Sequence, residues 1–258
     1  MMFRFLLILI ALVSVPSSYG YDKIVLLAPA AGDILIKLDA RNKVVGITRS
    51  NEDFPQAMKI GSHIKPNIEL IKGLAPDLIV ISSNRFFSDH LAEKVGADVI
   101  RYDPSNLEGI LTGIERFGVL LERESQAEQL IQKLTQISDQ LQPVTEVPSV
   151  VYEITESPYI IAGRGNIIND IIRVAGGKLV APADRKLLKF NIESVLIEDP
   201  DYYLYQVGPM NKNPTPPSDR PNFTMLNSRV VQVNQLEFSR ANTKTFTLAL
   251  ELNQLFRQ

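Results

Sequence analysis

The segment Lys65-Pro-Asn-Ile-Glu-Leu-Ile-Lys-Gly-Leu-Ala-Pro-Asp77 returns later in the chain as Lys189-Phe-Asn-Ile-Glu-Ser-Val-Leu-Ile-Glu-Asp-Pro-Asp201, with Lys, Asn, Ile, Glu, Pro and Asp in register. Any fold for this chain must use one local unit twice. In each copy the Asn is placed to cap a short helix, and the Pro-Asp pair closes the connection to an apolar run, Leu78–Ile81 or Tyr202–Tyr205. Each half thus carries a helix-then-strand unit with a glutamate, Glu69 or Glu193, near the helix start. Such a glutamate can act simply through the positive end of its helix, an effect of about 0.3–1 kcal/mol. A matched pair of acidic points, one per half, points to a partner-docking role instead.

A chain of 258 residues has room for two domains of ordinary size, and the repeat favours two. The net charge of −2 lacks the basic surplus of a general nucleic-acid binder, so no nucleic-acid partner is expected. The first twenty residues differ from the rest. Arg4 precedes the apolar run from Phe5 to Val13, and Ser18-Tyr19-Gly20 supplies small residues at a cleavage site. A bilayer-spanning helix needs about 20 apolar residues, roughly twice this run, so a secretory leader over 1–20 is expected, with no membrane insertion. Cysteine is absent, which removes disulfides, thiolate metal sites, cysteine nucleophiles and the usual site of a lipid anchor. A free periplasmic protein is the resulting expectation. With only His63 and His90 in the chain, no multi-histidine metal site is expected either.

Beyond the leader, apolar runs alternate with helical periodicity, the pattern of βα units and parallel sheets. Ile24–Ala28, Val44–Ile47, Leu78–Ile81 and Val99–Tyr102 read as strands of a first α/β lobe, 21–123. Val150–Ile154, Tyr202–Tyr205 and Val230–Val233 read as strands of a second, 143–258. Between the two sets, residues from about 106 to 142 read as helix, with Leu120, Leu121, Ala127, Leu130, Ile131, Leu134, Ile137 and Leu141 at three- and four-residue spacing. The part over 124–142 is assigned as the helix that joins the lobes, with Pro143 and Pro148 bracketing its exit.

These residues carry a family resemblance. Pro29-Ala-Ala, Lys43-Val-Val-Gly-Ile-Thr48, Phe54-Pro, Ile60-Gly61, Pro66-Asn-Ile-Glu69 and Pro76-Asp-Leu-Ile79 resemble the first lobe of the helical-backbone periplasmic binding proteins, which serve ABC importers for ferric siderophores, vitamin B12 and haem. Gly165-Asn-Ile-Ile-Asn169, Ala175-Gly-Gly177, Asn191-Ile-Glu193, Pro200-Asp201 and Arg229-Val-Val231 resemble the second. The resemblance implies two Rossmann-like lobes with central β-sheets, a single long α-helix between them, and a ligand cleft between the lobes. It also implies an ABC permease and its ATPase as partners, and it places Glu69 and Glu193 where the family's glutamates engage permease arginines.

Ligands of open parallel sheets sit beyond the carboxyl ends of the strands. Reading past each strand end nominates Pro29 and Ala30; Arg49 and Phe54; Arg85, Phe86 and Phe87; Tyr102; Arg164; Tyr205; and Glu237, Phe238 and Arg240. The ligand-binding set taken from them is Arg49, Phe54, Arg85, Phe86, Arg164, Tyr205, Glu237, Phe238 and Arg240. Four arginines suit an anionic chelate, because guanidinium forks match carboxylates and catecholates. Each also has nearby acids to pair with, and one of Phe86 and Phe87 is expected in the core. His63, Tyr102 and Tyr205 are the candidate axial ligands to a haem. The absence of tryptophan, common in the clefts of the family's B12 binders, weighs against B12. The stretch 208–221 holds five prolines and reads as an extended rim loop that either contacts ligand or only covers its lobe.

With no nucleophile elbow, HExxH or glycine-rich phosphate loop, no catalytic residue, resident metal or cofactor is assigned. The expected function is a monomeric binding protein that delivers an anionic ferric siderophore to an inner-membrane ABC importer. The alternatives are a corrinoid or haem carrier of the same family and, more distantly, a sensor module or chelate-processing enzyme on this scaffold.

Overall fold

The computed structural model describes residues 20–258. The leader expected over 1–20 lies outside them apart from Gly20, whose N–H donates to Glu122 Oε1 at 3.0 Å.

Five strands, β1 (Ile24–Leu26), β2 (Val44–Ile47), β3 (Met58–Lys59), β4 (Leu78–Ile81) and β5 (Asp98–Arg101), form a parallel sheet in the order β3-β2-β1-β4-β5. Parallel ladders need crossovers that cover both faces, and accordingly every residue of β1 and β4 is apolar and buried. The crossovers include helices α1 (Gly32–Lys37), α2 (Ile68–Leu74) and α3 (Asp89–Val95), and α4 (Leu107–Leu121) follows β5. Alternation along the strands sends Ile24, Leu26, Leu78 and Val80 to a core shared with α1 and α4, and Val25, Ile79 and Ile81 to an outer core shared with α2 and α3.

The periodicity predicts helix from about 106 to 142, but the structure divides it. After α4, Glu122 adopts a left-handed conformation (φ 57°), and α5 (Glu124–Ser138) starts in a new direction against α4. The approach is close at Gly118, where a Cβ would lie 2.6 Å from that of Ala127. Helix α5 also ends at Ser138, short of the expected 142. Its apolar stripe, Ala127, Leu130 and Leu134, is buried.

The second sheet holds β6 (Ser149–Thr155), β7 (Ile160–Ala162), β8 (Lys178–Leu179), β9 (Leu187–Lys189), β10 (Tyr202–Val207) and β11 (Arg229–Asn234). Its order is β9-β7-β6-β10-β11, with β8 on the start of β6. Strands β6, β8, β10 and β11 are parallel, whereas β7 runs antiparallel to both β6 and β9. Helices α6 (Ile167–Val174), α7 (Ile192–Glu198), α8 (Gln235–Phe238) and α9 (Lys244–Phe256) complete the lobe. Val150, Tyr152, Ile154 and Leu204 join α6, α9 and α5 in the same core that holds Ile24 and Leu26, so one apolar core runs through both lobes. Each fully buried aliphatic side chain in it contributes about 1.5–3 kcal/mol. Val151 and Tyr203 face an outer core with Val195 of α7.

The repeated segment forms the same device in both lobes. Asn67 accepts from Leu70 N at 3.1 Å, and Asn191 from Glu193 N at 3.0 Å. Both helices stop at a left-handed residue, Ala75 (φ 46°) or Asp199 (φ 37°). Asp77 then accepts the N–H groups of Asp22 and Lys23 at 2.8 and 2.9 Å, and Asp201 accepts the N–H and hydroxyl of Ser149, both at 2.7 Å. Each aspartate thereby fixes the start of its lobe's central strand. Among the described residues no helix is long and apolar enough to cross a membrane.

Candidate functional site

In both sheets the chain winds outward from its first strand in two directions, so the strand order reverses beside β1 and beside β6. Connections diverge at such switch points and leave a crevice at the carboxyl ends. The loops that border it are Leu27–Ala31 and Ser82–Phe87 in the first lobe, and Glu156–Pro158 and Gly208–Asn211 in the second. The turns 48–54, after β2, and 239–243, after α8, flank them.

The expected ligand-contacting residues separate into three groups. Arg49, Arg85 and Phe86 stand on the first lobe's rim. Arg49 is exposed, and its N–H donates to Gly61 O at 2.6 Å, which ties it to the Gly61–Ser62/Lys65–Pro66 hairpin that carries His63. The exposed Arg85 guanidinium lies over the half-buried Phe86 ring at 5.4 Å, and the exposed His63 ring stands perpendicular to Phe86 with ring centroids 6.3 Å apart. Phe87, its neighbour, is in the outer core.

A second group is turned inward. Phe54 is fully buried, 3.0 Å from where a Cβ on Gly32 would stand, with Arg41 5.6 Å from its ring centroid. Phe238 is buried against Tyr152, ring centroids 5.9 Å apart, and Tyr205 is buried with its hydroxyl 3.0 Å from Gln232 Oε1. An aromatic ring near a strand end has a lobe's worth of apolar surface to cover, and that demand places all three beneath the rim.

The third group is paired. Arg164 Nε donates to Asp184 Oδ1 at 2.7 Å within its own lobe, and Glu237 meets Lys244 at 3.2 Å. Arg240 reaches across the crevice to Asp53, 3.8 Å away. Glu69 and Glu193 are both exposed in the first turns of α2 and α7.

Arg240–Asp53 is one stitch of a longer seam between the lobes. Thr243 donates to Asp33 Oδ2 through its N–H (3.2 Å) and its hydroxyl (2.5 Å), and Lys37 Nζ bonds the same hydroxyl oxygen. Tyr102 donates to Ala241 O at 2.7 Å, and burial pushes its pKa well above the ordinary tyrosine value, so it stays a donor. Asp170 accepts from Leu107 N at 2.8 Å, and Lys186 pairs with Asp103 at 2.5 Å. Asp33 and Asp170 were legible only as acids on apolar helices, a sign that each has a partner.

A second feature missed by periodicity is an ion pair beneath the proline-rich loop. Glu153, fully buried in β6, accepts two bonds from Arg220, at 2.5 Å (Nη1) and 3.0 Å (Nη2). Tyr203 donates to the same carboxylate at 2.5 Å, so the Tyr159 hydroxyl, 2.9 Å away, donates to Tyr203. Burial works against the Arg220 cation, but the hydrogen bonds and charge of Glu153 outweigh it and raise the arginine's pKa. Arg220 Nε also donates to Thr215 O at 2.7 Å within the loop, so one guanidinium braces the loop and, through Glu153, straps it to its lobe. The available signal was a charged residue inside the otherwise apolar run Val150–Ile154, which demands a counter-charge.

Residues 24–215 match the sequence model of a family described as periplasmic binding protein. No curated protein matches the chain by sequence. Among solved structures, IsdE of S. aureus, complexed with heme, is 22% identical over 93% of this chain and 100% of its own, with a TM-score of 0.78. The periplasmic heme-binding protein RhuT from Roseiflexus sp. RS-1 is 20% identical over 92% of this chain and 98% of its own, with a TM-score of 0.74. BtuF of Vibrio cholerae, a periplasmic vitamin B12 binding protein, is 19% identical over 92% and 97%, with a TM-score of 0.73. Identities this low establish a shared two-lobed fold.

Proposed function

The chain belongs to the periplasmic binding protein family, and from that premise we propose that it captures an anionic metal chelate, a ferric siderophore, and hands it to an ABC importer. The observation that carries this reading is the rim of the first lobe, where Arg49 and Arg85 are exposed and Arg85 backs onto Phe86. Arg85 over Phe86 offers a cation and an aromatic ring side by side, which suits a planar anionic ligand group. Arg240, bound to Asp53, is a third cation that ligand entry can recruit from that pair. In this reading 21–123 and 143–258 act as the two jaws, α5 holds them together, and Glu69 and Glu193 dock the two halves on the permease. The protein acts as a carrier, and no bond is made or broken.

The test uses the double variant Arg49→Ala/Arg85→Ala. Charged hydrogen bonds contribute about 1.5–3 kcal/mol each, so ferric-siderophore affinity should fall by at least tenfold. Quenching of tyrosine fluorescence reports it, since the chain has no tryptophan. Equal affinity in variant and parent defeats the proposal.

One observation favours haem as a second reading. Of its three candidate axial ligands, Tyr102 and Tyr205 are buried and hydrogen-bonded, while the exposed His63 ring stands beside Phe86 on the same rim. Haem carboxylates would use the same arginines. Titration with haem, with and without His63→Ala, separates the readings, because only an axial histidine makes the Soret band depend on that substitution.

A further inference from the structure

The repeated unit is identical at six positions, and the structure explains four of them within each lobe. The asparagines cap their helices, and the aspartates fix the central strands. The isoleucines, Ile68 and Ile192, pack against the two outer cores, and Pro76 and Pro200 are buried. Two positions are left over, Lys65 with Lys189 and Glu69 with Glu193, and all four side chains are exposed. Among the described residues none of the four enters an ion pair.

Each lysine occupies the same place: a short antiparallel strand, two residues ahead of the capping asparagine. That place is unfavourable for a cation, because the amino end of a helix is positive. Local stability therefore explains the glutamates but not the lysines. Held twice where their own helices disfavour a cation, the two lysines are open to a counter-charge outside the molecule.

We infer that Lys65 and Lys189 form the second half of each docking point, so that the surface the permease offers to each lobe carries an acidic group beside the basic one that meets the glutamate. This rests on the docking reading of Glu69 and Glu193 and extends it from one contact per lobe to a complementary couple. Two opposite charges in fixed order also define which way round each lobe seats, since reversing the order brings like charges together.

The experiment compares Lys65→Glu/Lys189→Glu with Glu69→Arg/Glu193→Arg, measuring binding of each full-length protein to the permease–ATPase complex of its own source held in nanodiscs. Circular dichroism and siderophore affinity of the lysine variant, all of whose changes are at exposed positions, check that fold and cleft are intact. The expected result is a loss of docking affinity of about tenfold or more in both variants, reduced in the parent by added salt. Loss in the glutamate variant alone overturns the lysine inference and leaves the docking reading standing. Parental binding by both variants overturns the docking reading and the inference together.

Discussion

At the scale of single residues, the most consequential pair is Glu153 with Arg220. Both are buried, and the pair joins a central strand to a loop that is also tied to its lobe through Asn211 and through Thr215 on Glu156. Removing one partner of such a pair strands a charge out of water, so Arg220→Met should cost about 3–5 kcal/mol, measured by urea denaturation. A loss under about 1 kcal/mol would mean that water reaches Glu153 when the arginine is gone. Asp201 gives a pH test. Hydrogen bonds from the Ser149 side chain and backbone hold its carboxyl below the ordinary carboxylate pKa. A depressed folded pKa contributes stability that is complete above the unfolded value and disappears as pH falls through the folded one. Asp201→Asn should therefore be less stable than the parent at neutral pH, with the gap closing below the usual carboxylate range. A gap that persists unchanged into acid contradicts it. At this scale the sequence was least informative: the residue types at Phe54, Tyr205 and Phe238 fit a ligand wall and a core equally well, and only packing chose between them.

At the scale of elements, the repeated helices were legible because their signals are local: an asparagine cap, a buried Ile71 or Val195, and a Pro-Asp exit. The division between α4 and α5 was not. Apolar spacing continues across Glu122, so the period hides the left-handed turn there that ends α4 and folds α5 back until Gly118 meets Ala127. Gly118→Ala should accordingly destabilise the protein by about 1–3 kcal/mol through overpacking, although alanine is the better helix former by about 1 kcal/mol. Adding Ala127→Gly should recover part of the loss, so that thermal melts of the double variant show less damage than the two single changes summed. Simple addition would mean that the two positions do not press on each other. The strands β3 and β8 are not legible for a different reason, since two residues are too few to show a period.

At the scale of the whole molecule, the repeat and the two sets of apolar runs point to two α/β lobes, whereas the order of strands and the seam are not legible, because strand order is a matter of pairing and Asp33, Asp103 and Asp170 find partners far along the chain. With one apolar core and this seam in common, the lobes should unfold together. Calorimetry should record a single transition whose van't Hoff and calorimetric enthalpies agree, and two resolved peaks would show that the seam is too weak to couple them. The positions of β1 and β6 carry a consequence in time. Each is the earliest strand of its sheet and also lies in the sheet's interior, so each lobe grows from its centre outward as the chain emerges. Until Leu78–Ile81 arrives, β1 has an unpaired flank of backbone donors and acceptors, flanked by side chains that are apolar on both faces. The interval between the emergence of Leu26 and that of Leu78 is thus the stage at which a nascent chain is most open to capture by a wrong strand, its own or another molecule's.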